Sequence, residues 1–141
     1  MNTASFIADF LLEKETDRYV GIVVLRNRED PEALVIKRGG EPMKGKWACP
    51  GGHVDTGESD RDAAYRELEE ETGIEADEMH QFEEDDVDIG HLTFFWTWVP
   101  TATRAQADDD AEKAKWAKVS NLPELAWENA RQIRDACKHF S

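Results

Sequence analysis

The feature that most constrains this chain is a helix of about a dozen residues that must carry three glutamates on one side and still dock on a core. Ser59, followed three residues later by Asp62, has the form of a capping box, and Gly73 is a natural helix stop. At roughly 100° per residue, Glu67, Glu70 and Glu71 fall within a sector of about 100°. Ala64 and Leu68 extend that sector toward the apolar face, which places the carboxylates at the edge of the packed surface. Like charges this close repel one another. Arg66 can offset only part of that cost, so a further positive partner is expected.

A hard divalent cation is the natural partner. Mg²⁺ prefers oxygen ligands, keeps several waters and is commonly completed by substrate phosphates. Gly51-Gly52, just ahead of the helix, lets backbone approach a ligand closely, and a carbonyl there can add another oxygen. Lys37, Arg38, Lys44 and Lys46 cluster upstream, where they can receive an anionic substrate.

The rest of the chain is acidic: 17 Lys and Arg against 31 Asp and Glu, a formal charge of −14. Such a field repels duplex nucleic acid and anionic membranes and attracts cations. Cys49 and Cys137 form no CxxC, and His53, His80, His91 and His139 are scattered. Any metal is therefore held mostly by oxygen, and a reduced, cytoplasmic setting is expected. The stretch MNTASFIADFLLEKETDR lacks a basic leader, and no apolar run approaches the length of a bilayer span, so neither a signal peptide nor a membrane helix is expected.

At 141 residues and 40% hydrophobic content, one domain covering 1–141 is expected, with a core of its own. Phe6, Ile7, Phe10 and Leu11 recur at helical spacing over 4–14. YVGIVVLRN (19–27) and ALVIKR (33–38) read as strands joined through Asp30-Pro31, a hairpin. LTFFWTWV (92–99) is the strongest strand signal, KWAKVS (115–120) a shorter one, and a closing helix is expected over about 124–138. Residues 75–90 read as a polar, acidic region, with EEDD (83–86) in it and DDD (108–110) as solvated loops, and 101–112 reads as an acidic loop. Mixed strand and helix order predicts an α/β sandwich with a mixed sheet between helices. Among the aromatics, Trp47 beside the glycines is the candidate for stacking on a base. Phe94, Phe95, Trp96 and Trp98 are expected in the core, Trp116 and Trp127 are read as structural, and His53 as a positioned loop residue.

The complete spacing is specific. Gly52, Glu58, Arg66, Glu67, Leu68, Glu70, Glu71, Gly73 and Ile74 fit G-x5-E-x7-R-E-U-x-E-E-x-G-U, with U aliphatic. Seven fixed Gly, Glu and Arg positions match by chance on the order of 10⁻⁸ per start site. This pattern resembles the Nudix box, and the flanking WACPGG resembles that family's W-x-x-PGG approach.

The resemblance implies a Nudix-type α/β/α sandwich that hydrolyses a nucleoside diphosphate linked to a second group, using Mg²⁺ or Mn²⁺. It implies metal ligation by Glu67, Glu70, Glu71 and the Gly51 carbonyl, with Glu58 and Arg66 orienting the helix. Glu67 is the implied general base, with Asp108, Asp109, Asp110 and Glu112 on a later loop as the other candidates. Arg38, Lys46, Trp47, Gly51 and Gly52 are the expected substrate-facing residues. The tail DDDAEKAKWAKVSNLPELAWENARQI resembles the ending of an ADP-ribose pyrophosphatase-like branch, departing from it at Ala107, Trp127 and Glu128-Asn129. ADP-ribose or a related nucleotide sugar is thus the first expectation, and a nucleoside triphosphate with an oxidised purine the second. A nucleotide-sensing domain without catalysis is the expectation from another class. Both a monomer and a homodimer fit the sequence.

Overall fold

Strand β1 (Arg18–Arg26) is buried over most of its length, from Val20 to Leu25, as a continuous apolar run requires when both faces of a sheet are covered. The computed structural model describes residues 17–88, 90–106 and 113–140. The remaining elements are β2 (Glu32–Lys37), β3 (Trp47–Ala48), β4 (Gly51–His53), helix α1 (Asp60–Thr72), β5 (His80–Val87), β6 (Gly90–Trp98), β7 (Ala114–Lys118), a 3₁₀ turn (Val119–Asn121) and helix α2 (Asn129–His139). The expected N-terminal helix at 4–14 and the acids Asp108, Asp109, Asp110 and Glu112 lie outside the described residues.

Among the described residues the sheet runs β3-β2-β1-β6-β5, with β4 also on β1 and β7 on β2. β1 and β2 form the expected antiparallel hairpin, with Leu25 opposite Ala33. β1 and β6 pair in parallel from Arg18 opposite His91 to Leu25 opposite Trp98. The sheet is therefore mixed, and its two faces bury different residues of the same strands. On one face Ile22, Val24 and Phe95 meet Ala63, Ala64 and Leu68 of α1. On the other, Val23, Leu25 and Phe94 meet Ile133 and Ala136 of α2. The predicted sandwich is the fold observed.

Two expectations are corrected. EEDD (83–86), expected as a solvated loop, lies in a strand: residues 80–87 form β5, antiparallel to β6. β5 ends the sheet among the described residues and needs only one neighbour, so its outer side tolerates the carboxylates that hid its pattern. A bulge between Gln81 and Glu83 further breaks the alternation. The closing helix begins at Asn129 rather than near 124. Leu125 bridges Trp47, the Ala126 N–H donates to the Trp47 carbonyl at 2.8 Å, and Trp127 sits at φ 52°, outside any right-handed helix.

Candidate active site

Helix α1 is held at both ends by its own sequence. The Ser59 hydroxyl accepts the Asp62 N–H at 3.0 Å, and Gly73, at φ 74°, returns its N–H to the Glu69 carbonyl at 2.8 Å. The sheet fixes its start. Arg18 of β1 donates to Asp60 and to the Glu58 carbonyl, and Thr93 of β6 donates to the other Asp60 oxygen. With Ala63, Ala64 and Leu68 buried, the side of the helix that carries Glu67 and Glu71 is turned toward β4.

There the glycines matter. Gly51 and Gly52 pair with Gly21 and Val20 of β1. A Cβ on Gly52 would lie 2.5 Å from Glu67 Cδ, and one on Gly51 2.2 Å from the Val20 carbonyl oxygen. Only bare backbone fits between β1 and the Glu67 carboxylate.

Arg66 organises the acids. Its Nε and Nη2 donate to the two Glu58 oxygens at 2.8 and 3.0 Å, a bidentate pair, and Nη2 also reaches the His53 carbonyl at 3.0 Å. Its Nη1 donates to Glu67 at 3.0 Å and Glu70 at 3.1 Å. Glu58 in turn accepts the Asp55 N–H at 3.0 Å. The Arg66 guanidinium holds the Glu58 carboxyl below its ordinary range. Of the predicted orienting pair, Arg66 is thus in contact with two of the three predicted ligands, and Glu58 holds Arg66.

Glu71 is the residue without a settlement. Burial, then the hydrogen bond that its protonated form donates to Glu67 and that neighbour's charge, push its carboxyl up to about 8, against the Gly51 N–H and the Arg38 charge. Its Oε2 is buried with no hydrogen-bond partner. Two carboxylates forced together, one with an orphaned oxygen, fit a divalent cation, which would displace the proton they retain. Glu70 differs: it is 60% exposed and turned to Arg66. Among the described residues no three acidic, histidine or cysteine side chains already converge on one point. The expected triad is assembled in part, as the Glu67–Glu71 pair with Glu70 alongside.

The basic and aromatic residues divide. The Arg38 charge is felt at Glu71, its Nε donates to the Pro42 carbonyl at 2.7 Å, and its guanidinium lies 4.7 Å from the Trp127 ring centre. Lys46 pairs with Glu124 at 3.6 Å, and the Trp47 ring is covered by the Lys115 ammonium at 4.3 Å. No described hydrogen bond or ion pair joins Lys46 or Trp47 to the carboxylates. Trp127, read from sequence as structural, is instead 51% exposed. Its signal was its place in a short connection before a helix, where scaffolds display binding residues. No described helix is long and apolar enough to cross a membrane.

A mixed sheet between two helices, with a glycine strand pressed on a carboxylate-bearing helix, defines a class. The family model described as NUDIX domain matches residues 15–137. The chain belongs to the Nudix hydrolase family. It is 34% identical over 112 residues to the ADP-ribose pyrophosphatase of Methanocaldococcus jannaschii, covering 76% of this chain and 66% of that one. It is 34% identical over 132 residues to a putative 8-oxo-dGTP diphosphatase of Bacillus subtilis, covering 82% and 77%. The chain therefore spans just under two thirds of the archaeal relative's length. The NUDIX domain of Shewanella oneidensis NrtR, solved with ADP ribose, superposes with a TM-score of 0.73 over 100% of both chains at 20% identity, a likeness of fold.

Proposed function

We propose that residues 1–141 form one domain that hydrolyses the diphosphate linkage of a nucleoside diphosphate joined to a second group, favouring ADP-ribose or a related nucleotide sugar. The observation that carries the reading is the buried, partnerless Glu71 oxygen beside Glu67, opposite the Gly51-Gly52 backbone. Glu67, Glu70, Glu71 and the Gly51 carbonyl would hold Mg²⁺, with Mn²⁺ as its substitute. When bound, the cation supplies charge neutralisation on the diphosphate and acidifies the attacking water.

The chain's own residues do the rest. Arg66 keeps Glu58, Glu67 and Glu70 in register while charge builds at the site. Glu67 takes the proton of the water whose oxygen bonds to phosphorus. The bond from that phosphorus to the bridging oxygen breaks, and the two phosphate products separate. Arg38 faces the diphosphate, and the exposed Trp127 ring offers the base a stacking surface.

The archaeal relative's name as an ADP-ribose pyrophosphatase and the ADP ribose bound by the NrtR domain support the nucleotide-sugar choice. The Bacillus relative supports a second reading, hydrolysis of an oxidised purine nucleoside triphosphate. A sensor that binds without hydrolysis is disfavoured because every box glutamate is present.

The deciding experiment is a substrate panel with and without Mg²⁺, read by product identity. It includes ADP-ribose, other nucleotide sugars, dinucleoside polyphosphates, and oxidised and normal nucleoside triphosphates. AMP and ribose 5-phosphate from ADP-ribose are expected. Pyrophosphate and an oxidised monophosphate as the main products would transfer the assignment to the second reading. Tight ligand binding with no product would leave a sensor.

A further inference from the structure

On the sheet face away from α1, a chain of hydrogen bonds joins the acidic strand β5 to the Cys49-Pro50 crossing that leads into the glycine strand β4. The Cys49 N–H donates to Asn129 Oδ1 at 2.8 Å, Asn129 Nδ2 donates to Gln132 Oε1 at 2.8 Å, and Gln132 Nε2 donates to Glu83 Oε2 at 3.1 Å. Asn129 and Gln132 are each 4% exposed, two amides within a largely apolar layer. The β5 bulge turns two successive residues toward α2: Phe82 packs on Phe140, and Glu83 meets Arg131 and Gln132.

The ends of this chain dictate every bond in it. A backbone N–H only donates, and an ionised carboxylate only accepts. Neither amide can flip without setting oxygen against oxygen. Arg131 donates from both Nη atoms to Glu83, keeping that end ionised and in place.

The other end lies where the backbone changes partners. β3 closes at Ala48 against β2, and β4 opens at Gly51 against β1, so Cys49-Pro50 is a crossing within neither strand. Proline has no N–H, and its carbonyl here accepts from Ile22 at 2.9 Å. The Asn129 oxygen takes the one N–H the crossing has. Immediately beyond it, the Gly51 N–H reaches Glu71 and Gly52 abuts Glu67. A buried leucine would fill the Asn129 space but leave the Cys49 N–H without its acceptor and, among the described residues, the crossing held only through the Pro50 carbonyl.

We propose that Asn129 is a positioning residue: by accepting the Cys49 N–H it sets the Gly51-Gly52 backbone against Glu67 and Glu71, and thereby the cation affinity of the site. The affinity part rests on the metal reading above.

The test uses the intact protein, with Mn²⁺ binding followed by calorimetry, amide hydrogen exchange at Gly51 and Gly52, and kcat and KM. Asn129→Leu should weaken Mn²⁺ binding about tenfold or more, the range seen when a ligand's supporting partner is lost. It should also speed exchange at Gly51 and Gly52 and lower kcat while KM stays near that of the unaltered protein. Asn129→Asp keeps the acceptor for the Cys49 N–H but turns its second oxygen on Gln132 Oε1, so it should recover slow glycine exchange and Mn²⁺ affinity only in part, yet more than Asn129→Leu does. Ile133→Val, in the same helix and core, should lower stability without moving Mn²⁺ affinity. Unaltered Mn²⁺ affinity and glycine exchange in Asn129→Leu would overturn the proposal. If the unaltered protein binds no Mn²⁺, the metal reading falls by itself, and the glycine exchange rates still decide whether Asn129 positions the loop. If Asn129→Leu fails to fold, Gln132→Met cuts the chain one bond further away. A smaller loss of Mn²⁺ affinity is expected there, and no loss would overturn the proposal.

Discussion

Gly52 and Glu67 share a space that admits no side chain at the first: a Cβ there would stand 2.6 Å from Glu67 Oε1. The contact couples a strand to a helix across the very point where the chemistry is placed. Gly52→Ala should therefore displace the Glu67 carboxylate rather than unfold the sheet. A displacement on the order of 1 Å costs about a hundredfold in rate. The expected outcome is a kcat lower by about that factor with an unchanged circular dichroism spectrum. Activity within about threefold of the unaltered protein would count against the coupling.

Glu67→Gln removes both a charge and the proposed proton acceptor while keeping shape. Loss of a general base costs about 10²–10⁴-fold, so kcat should fall at least a hundredfold with the melting temperature preserved. Near-normal turnover with Mg²⁺ would remove Glu67 from the mechanism and turn attention to the 108–112 acids.

The unsatisfied Glu71 oxygen predicts a cation-dependent stability. Adding Mg²⁺ to chelator-treated protein should raise the melting temperature, since a ligand bound only by the folded state stabilises it by mass action. Glu71→Gln should abolish most of that response. An equal Mg²⁺-induced shift in both proteins would place the cation elsewhere.

Trp127→Ala tests the stacking surface. Base–aromatic stacking is worth roughly 1–3 kcal/mol, about 5- to 150-fold in affinity. KM for the preferred nucleotide should rise within that range while kcat changes little. The same effect from Trp47→Ala, with none from Trp127→Ala, would return the role to the residue first expected.

Glu83 gives a pH test. Arg131 holds its carboxyl below the ordinary value of 4.5, so the folded state favours the ionised form. Its contribution is present above pH 4.5 and is lost as pH falls through the lowered folded value. Glu83→Gln should be less stable than the unaltered protein near neutrality, and the two melting curves should converge on acidification below 4.5. A gap that persists in acid would mean that the pair contributes through packing rather than charge.

Much of this was readable without coordinates because the relevant signals are local. The Ser59 and Gly73 caps, the spacing from Gly52 to Ile74 and the apolar runs of β1 and β6 each state their own structure. The missed features depend on partners distant in sequence. β5 is a strand because β6 lies beside it, although its residues favour solvent. Trp127 is exposed because the preceding residues pair with Trp47 and force a left-handed turn before α2. Asn129 gains its meaning from Cys49, 80 residues away. In the same way, the helix angles placed the three glutamates together but could not show that Arg66 draws Glu70 aside.

The acidic strand has one more effect, on how copies of the molecule treat each other. Glu83, Glu84, Asp85 and Asp86 line the last strand of the described sheet, where open backbone groups would otherwise invite another chain to add on. An identical strand brought alongside would meet carboxylates on both of its faces, a mutual repulsion that reaches about 8 Å at physiological ionic strength. Salt shortens that reach and acid discharges it. The same carboxylates that conceal β5 in the sequence therefore act as a colloidal guard, and edge-to-edge association of copies should become easier as the solution becomes saltier or more acidic.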